Sequence, residues 1–236
     1  MAGPTPAPPR IFDPERRRQI TARARSRSRR SGAADYLAQD MAEDAIERLS
    51  FVRHEAERAF VIGDATGVLT EYLRGTGCEV TRAAIAEFDE AEPWPKGGHD
   101  FIAVLGGLDT VNDLPGALIH MRAALAPGGL AIAAFLGAGS LSRLRAIMQA
   151  ADADRPAARM HPLVDVRAGA QLLQRAGFAD PVADSHSVAV RYSTFEGMVG
   201  DLRDMGVSSA LADRARPLSR AALERARAAF AEAADG

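Results

Sequence analysis

A glycine-containing turn, Gly63-Asp64-Ala65-Thr66-Gly67, carries the strongest chemical signal in this chain of 236 residues. It follows the apolar run AFVI and precedes VLTEYLRG, whose spacing favours a helix. The order of strand, tight turn and helix leaves backbone N–H groups at an open corner, and such corners bind adenine nucleotides. Alanine stands where a GxGxG-type loop has its middle glycine, so its Cβ is expected to narrow the approach of a ligand. An ordinary strand-to-helix turn fits the same pattern equally well.

Acidic residues further along the chain are candidates for contacts with a nucleoside. Glu87 lies 20 residues after Gly67, a spacing that suits a carboxylate accepting both hydroxyl groups of a ribose. If the intervening run CEVTRAAI is the second strand of the sheet, Glu87 takes this role. If it is the third strand, Asp89 or Glu90 becomes the adenine-side contact. A solvated acidic loop fits the same residues.

Other polar residues favour structural roles. Asn112 and Asp113 begin a helix, where capping is the simplest role, although position 112 also lies at the edge where open α/β sheets bind ligands. His99 and Asp100 stand together at the start of a strand, and we favour a structural role over acid–base catalysis. The single cysteine, Cys78, excludes an internal disulfide, and the isolated histidines predict no metal site.

The elements that must position these residues alternate between strands and helices from Ala59 onwards. This alternation predicts a largely parallel sheet with helices on both faces. LAIAAFLG is expected to be a strand buried on both faces. We expect four segments: a disordered tail (1–10), an N-terminal pair of helices (11–50), the sheet-containing core (51–192) and a helical cap (193–236). The N-terminal pair is broken around Ser31-Gly32, and the core ends in a long strand, Pro181 to Tyr192.

Composition limits the classes of protein that this chain can belong to. Hydrophobic residues make up 47% and charged residues 25%, as in soluble globular domains. No apolar run is long enough for a transmembrane segment, so a cytoplasmic location is expected. Residues 1–35 hold nine arginines against three acidic residues, a net charge of +6. This basic segment lacks interleaved aromatic residues, and nucleic acid is not expected as a partner. The scarcity of lysine indicates a GC-rich bacterial genome.

Five stretches of the chain carry a family resemblance. They are IFDPERRR, DTVNDLPGAL, the pair LRAALAPGGL and FLGAGSLSRLR, DVRAGAQLLQRAGFADPVAD, and MVGDLRDMGVSSAL. Together they resemble class I S-adenosylmethionine-dependent methyltransferases. More closely, the chain resembles the methyltransferase-like assembly factor 5 family of respiratory complex I, itself similar to the malonyl-acyl-carrier-protein methyltransferase of biotin synthesis. The resemblance spans about residues 11–232.

The resemblance implies a Rossmann-like methyltransferase sheet that binds S-adenosylmethionine. The implied cofactor residues are Gly63, Asp64, Ala65, Thr66, Gly67, Glu87, Asp89 and Leu105. It also implies that the chain acts on a protein or carrier-protein substrate. Within the assembly-factor family, the implied role is hydroxylation of an arginine on a respiratory complex subunit.

Three departures from the family pattern suggest that the chain has lost catalysis, which is an alternative to the hypothesis of an active enzyme. Val61 stands where the family has an acidic residue, and Ala65 replaces a glycine. Only about 22 residues separate Gly77 from Asp100, where the family has two strands and a helix. We therefore expect a sheet shortened by about one strand and one helix, with cofactor binding weakened or lost. The first hypothesis is a methyltransferase-like enzyme, and the alternative is a catalytically degenerate fold that serves as a binding or assembly factor.

Overall fold

Four strands and eight helices make up the computed structural model, which describes residues 10–95 and 98–234. The strands are β1 (Arg58–Ile62), β2 (Glu79–Ala83), β3 (His99–Leu105) and β4 (Leu125–Ala134). The helices are α1 (Pro14–Arg27), α2 (Tyr36–Val52), α3 (Val68–Gly75), α4 (Leu114–Ala124), α5 (Ser142–Ala151), α6 (Val166–Arg175), α7 (Phe195–Asp204) and α8 (Arg220–Ala234). The disordered tail expected at residues 1–10 lies outside the described residues, apart from residue 10.

The strands form one parallel sheet in the order β2-β1-β3-β4. This confirms the predicted α/β class. CEVTRAAI supplies β2, which pairs directly with β1, so that Ile62 lies opposite Ala83. CEVTRAAI therefore corresponds to the family's second strand, which pairs with the first, rather than to its third.

The connection from β2 to β3 is short, as the sequence predicts. In the described part of this connection, the only regular element is a 3-10 turn, Ile85–Glu87. Among the described residues, no strand pairs with the outer edge of β2, so β2 is an edge strand of the sheet. This agrees with the predicted loss of one strand and one helix. Trp94 from this connection is buried against Phe60 and Phe88, where it fills the end of one core.

Alternate residues of β1 and β3 build a separate core on each face of the sheet, because successive strand side chains point to opposite faces. Val61 and Ala103 pack on the face covered by α2 and α3. Phe60 and Ile102 pack on the face covered by α4. Both strands are buried on both faces, which explains why their sequences read as continuous apolar runs.

The prediction of a strand from Pro181 to Tyr192 is wrong. These residues form no backbone ladder with any described strand. Side chains instead tie the segment to α2: Arg48 pairs with Asp184, and His186 is hydrogen-bonded to Asp40. Alternating valines favour an extended backbone, but an extended segment becomes a strand only when a neighbouring strand shares its hydrogen bonds.

The prediction that LAIAAFLG is buried on both faces is also wrong. Only its first five residues, 130–134, belong to β4, an edge strand in which Ile132 is buried and Ala133 is exposed. The strand begins earlier than predicted, at Leu125, and its pairing shifts register between His99 and Phe101 to accommodate the APGG sequence. An edge position explains the exposure, because no described strand covers the outer side of β4.

Helices α5, α7 and α8 form a third cluster. Ile147, Phe195, Met198, Leu202 and Ala226 are buried within it. Helix α7 also contacts α1, which in turn contacts the 3-10 turn after β2. Across residues 10–95 and 98–234, no helix combines the length and the apolar character needed to cross a membrane.

The attachment of the 181–192 segment to α2 predicts a pH dependence. The hydrogen bond from His186 to Asp40 (2.8 Å) raises the pKa of His186 above its ordinary value of 6.5. A raised folded-state pKa stabilises the folded protein below pH 6.5, and this contribution is lost as the pH rises through the folded-state value. The effect is small because the His186 side chain is 51% exposed.

An NMR titration of the His186 ring should therefore give a pKa above 6.5 in the unmodified protein. The Asp40→Asn variant should move it back towards that value. Identical titration curves for the two proteins would contradict the proposed attachment.

Candidate functional site

The glycine turn is shaped by strand packing at one end. Gly63 adopts a left-handed backbone (φ 82°), and its N–H donates to the carbonyl of Ala83 in β2 (3.1 Å). A Cβ added at Gly63 would lie 2.2 Å from the carbonyl oxygen of Leu105. No side chain fits there, so Gly63 is required by the approach of β1 to the end of β3, whether or not a ligand binds. Leu105 itself is buried.

The carboxylate of Asp64 caps α3 from inside the turn. Its Oδ1 accepts from the N–H of Gly67 (3.0 Å), and its Oδ2 accepts from the N–H and hydroxyl of Thr70 (2.9 and 2.6 Å). Only 5% of Asp64 is exposed. The buried carboxylate thus occupies donors that would otherwise be free at a helix N-terminus, and its charge disfavours a second anion there.

The outer side of the turn is open. Ala65 is exposed, and a Cβ added at Gly67 would meet no atom within 4 Å. Gly67 has φ 83°, which explains the preference for glycine at that position. Thr66 donates its hydroxyl to Asp64 at 3.4 Å, and so it supports the turn from within.

The side chain of Ile85 fills the space between the ends of β1 and β3. Its atoms lie 3.0 to 3.1 Å from a Cβ added at Gly63, and 3.6 Å from one added at Gly106. They also lie 3.0 to 3.2 Å from a Cβ added at Gly107. Ligands of open α/β sheets bind at this carboxyl edge, so Ile85 takes up part of the space that a ligand would need.

Arg17 of α1 reaches the same edge. Its guanidinium donates to both carboxylate oxygens of Glu90, one at 2.7 Å, and to the carbonyl of Gly107 at 3.0 Å. Its Nε donates to the hydroxyl of Thr110 at 3.0 Å. The side chains of Arg17 and Glu90 are only 14% and 3% exposed. This buried, bidentate ion pair connects α1 to the loop after β2. The bond to Gly107 also connects α1 to the end of β3.

The two remaining acidic candidates lie at the surface. Glu87, four residues after the end of β2, is 62% exposed and pairs with Arg25 of α1. Asp89 is exposed, and its Oδ1 accepts from the N–H of Ala91 (3.1 Å) in a local turn. The structure therefore brings Gly63, Leu105 and Ile85 of the 3-10 turn together. Glu87, at the end of the same turn, is directed towards α1.

Other polar residues hold the framework in place. The side-chain amide of Asn112 pairs with both backbone groups of Phe12, accepting at 2.8 Å and donating at 3.0 Å. Asp113 caps α4 through the N–H of Gly116 (2.9 Å), as predicted. Asp100 accepts from the N–H groups of residues 57 and 58, at 2.8 and 3.0 Å.

His99 is a buried residue at the start of β3. It stacks on Phe60 with ring centroids 5.4 Å apart. Burial lowers the pKa of His99, with a further contribution from the charge of Arg58. The ring is therefore neutral at pH 7, which suits a packed side chain.

Sequence reasoning missed the roles of Arg17 and Ile85. Arg17 stands in a basic stretch in which nine arginines look alike, and Ile85 is one apolar residue beside a turn. The one available signal for Arg17 was its place within the family-like stretch IFDPERRR.

These contacts test whether the described residues suit S-adenosylmethionine. At the carboxyl edge, Glu90 is paired with Arg17, Glu87 with Arg25, and Asp64 with the start of α3. Ile85 covers the glycines between the strand ends. As arranged here, the residues do not fit the cofactor, because the acidic groups are engaged by the chain itself and an apolar side chain fills the cleft.

Comparison with known proteins identifies the family. A family model described as a methyltransferase domain matches residues 33–181, more than half of the chain. The chain belongs to the methyltransferase domain family. The match runs from just before α2 through α6, so it includes the whole sheet and the glycine turn. The predicted membership of the S-adenosylmethionine-dependent methyltransferases is thereby confirmed.

Two kinds of curated protein are similar to this methyltransferase-family chain. The mitochondrial arginine-hydroxylase NDUFAF5 of Rattus norvegicus is 26% identical over 220 residues, covering 84% of this chain and 64% of its own length. Its Homo sapiens counterpart is 25% identical with the same coverage. Malonyl-acyl-carrier-protein O-methyltransferase 1 of Coxiella burnetii is 26% identical over 193 residues, covering 75% of this chain and 67% of its own length. The chain thus spans slightly less than two thirds of the two arginine-hydroxylases.

The buried pair between Arg17 and Glu90 predicts a large loss of stability on truncation. Arg17→Ala should lower the free energy of unfolding by about 3–5 kcal/mol, because the Glu90 carboxylate would remain buried without a partner. Arg18→Ala is the matched control on the same helix. Its pair with Glu15 is exposed, so a change of at most about 1 kcal/mol is expected.

Urea denaturation followed by circular dichroism measures both changes. The double variant Arg17→Met with Glu90→Gln should recover most of the loss, since no charge is then left buried. Equal effects of the Arg17 and Arg18 substitutions would show that the pair does not hold α1 to the sheet edge.

Proposed function

We propose that this chain is a methyltransferase-family protein that recognises a protein or carrier-protein partner and works as a binding or assembly factor. The observation that carries this proposal is the occupation of the sheet's carboxyl edge by Arg17 and Ile85. In open α/β sheets this edge is where a cofactor binds. In this chain a buried ion pair and an aliphatic side chain fill the carboxyl edge. The fold is then used to recognise a partner rather than to bind a cofactor.

The partner class rests on the similar proteins. Two of them are named as arginine-hydroxylases and one as a methyltransferase of a malonyl-acyl carrier protein. The first name gives arginine as the residue that is modified, and the second gives an acyl group attached to a carrier protein. We extend this partner class to the present chain, and we propose assembly of a respiratory complex I as the process, on the basis of the resemblance of the chain to that family.

A second candidate function is methyl transfer with S-adenosylmethionine onto the same class of partner. The open outer side of the turn favours it, since Ala65 is exposed and the space beyond Gly67 is free. This function would require α1 to move and release Glu87 and Glu90 from their arginines. Bound S-adenosylmethionine would supply an activated methyl group. The residues of this chain would contribute the turn at one end and a carboxylate for the ribose at the other.

Titration with S-adenosylhomocysteine separates the two functions. The proposed function predicts no saturable binding by calorimetry at concentrations up to about 1 mM, because the edge is filled. Binding in the micromolar range, weakened at least about 10-fold by Glu87→Ala, would overturn it in favour of the enzyme. Asp89→Ala is the matched control, since Asp89 belongs to a local turn beyond the second strand.

The variant that blocks the turn must be chosen from the structure. A side chain at Gly63 would collide with the Leu105 carbonyl, so loss of function there would report misfolding. Ala65→Arg instead places a bulky side chain on an exposed position of the turn. In a deletion strain of the source organism, the binding factor predicts equal complementation by Ala65→Arg and the unmodified protein. Failure of Ala65→Arg at normal protein abundance would support catalysis.

A further inference from the structure

A cavity of about 550 Å³ lies away from the glycine turn, among α5, α7, α8 and the loop around residues 158–163. Its volume is within the range of small-molecule sites. Leu136, two residues after the end of β4, also lines the cavity. Helix α1 contributes to both places, since Arg16 lines the cavity while the adjacent Arg17 points to the sheet edge.

Much of the cavity lining is apolar. They come from three helices and include Leu144 and Met148 of α5, Val199 and Leu202 of α7, and Leu223 of α8. These are aliphatic and thioether side chains, and the unbranched Met148 side chain adapts to irregular apolar partners. Such a lining favours an alkyl or acyl chain.

The lining also carries an excess of positive charge. Arg159 pairs with Asp152 (2.5 Å) and Arg227 pairs with Glu196 (2.6 Å), so these two arginines are neutralised. Arg16 and Arg203 also line the cavity, and neither has a carboxylate within 4.0 Å in the described part of the chain. The guanidinium of Arg16 donates to the carbonyl of Leu211 at 3.5 Å.

Two hydroxyl groups complete this polar part of the lining. Ser208 and Ser209 follow α7 and line the same cavity. Among residues 10–95 and 98–234, neither hydroxyl takes part in a hydrogen bond. Arginine guanidinium groups together with hydroxyl donors are typical partners of a carboxylate or a phosphate.

We propose that this cavity binds an acyl chain with an anionic head group. The chain lies against the apolar walls from α5, α7 and α8. The head group is held by Arg16, Arg203 and the two serine hydroxyls. A carboxylate head and a phosphate head share this chemistry, and titration with a ligand of each kind distinguishes them.

Gly200 provides a variant that fills the cavity without damaging the fold. It lines the cavity from the middle of α7, and a Cβ added there would meet no atom within 4 Å. Leucine favours a helix more than glycine does, so Gly200→Leu should fold at least as stably as the unmodified protein. Gly169 of α6 is the matched control, because its Cβ position is also open and it does not line the cavity.

Calorimetric titration with dodecanoate and with dodecyl phosphate, both below their critical micelle concentrations, tests the proposal. We expect saturable 1:1 binding of at least one of them to the full chain, with a micromolar dissociation constant. The tighter ligand identifies the head group. Gly200→Leu should weaken binding at least 10-fold, and Gly169→Leu should leave it unchanged.

Arg16→Gln tests the head-group contact separately. It should weaken binding of the anionic ligand about 10-fold and leave binding of neutral dodecanol unchanged, whereas Arg23→Gln on the exposed side of α1 should affect neither. The proposal is overturned if neither anion binds saturably below 1 mM. It is also overturned if Gly200→Leu, with an unchanged or raised melting temperature, binds as well as the unmodified protein.

Discussion

The buried pair between Arg17 and Glu90 is the interaction on which the arrangement of this protein depends. Both side chains are almost wholly removed from water, and each compensates the charge of the other. An ion pair of this kind adds little stability compared with an apolar contact, but it allows only one arrangement, because either charge left alone would be costly. It therefore fixes where α1 lies on the sheet.

Several other contacts agree with that placement of α1. The backbone of Phe12, just before the helix, is bound by the Asn112 amide at the end of the sheet. The last turn of α1 is bound to α7 through Arg27 and Asp204 (2.5 Å). Helix α1 has no buried residue of its own, so polar contacts rather than an apolar face position it. Because polar contacts hold α1 on the rest of the protein, its position depends on the geometry of those contacts. Substitution of a single charged residue is therefore expected to weaken the attachment of α1.

The carboxyl edge of the sheet and the cavity among α5, α7 and α8 differ in how their polar groups are paired. At the carboxyl edge of the sheet, the carboxylates of Glu90, Glu87 and Asp64 are all paired within the chain. In the cavity among α5, α7 and α8, two arginines have no carboxylate partner and two serine hydroxyls make no hydrogen bond within the described residues. Desolvated polar groups that are paired stabilise a fold, whereas unpaired groups beside an apolar cavity favour a ligand.

Local sequence was enough to predict most elements of the fold. The apolar runs of β1 and β3, the glycine turn between β1 and α3, and the Asp113 cap of α4 depend on side chains close together in the chain. The shortened connection after β2 followed from counting residues. The family followed from motifs that extend over most of the chain.

Tertiary structure decided what these elements do together. The segment 181–192 has the composition of a strand, yet it contacts α2 through side chains, because strand formation depends on a neighbour that local sequence does not specify. Glu87 has the spacing of a ribose ligand, yet it faces Arg25. Arg17 meets Glu90 across 73 residues, and nothing in either neighbourhood distinguishes that arginine from the eight others near it. Pairing of charges is determined by which groups the fold desolvates together, and only the packed structure decides that.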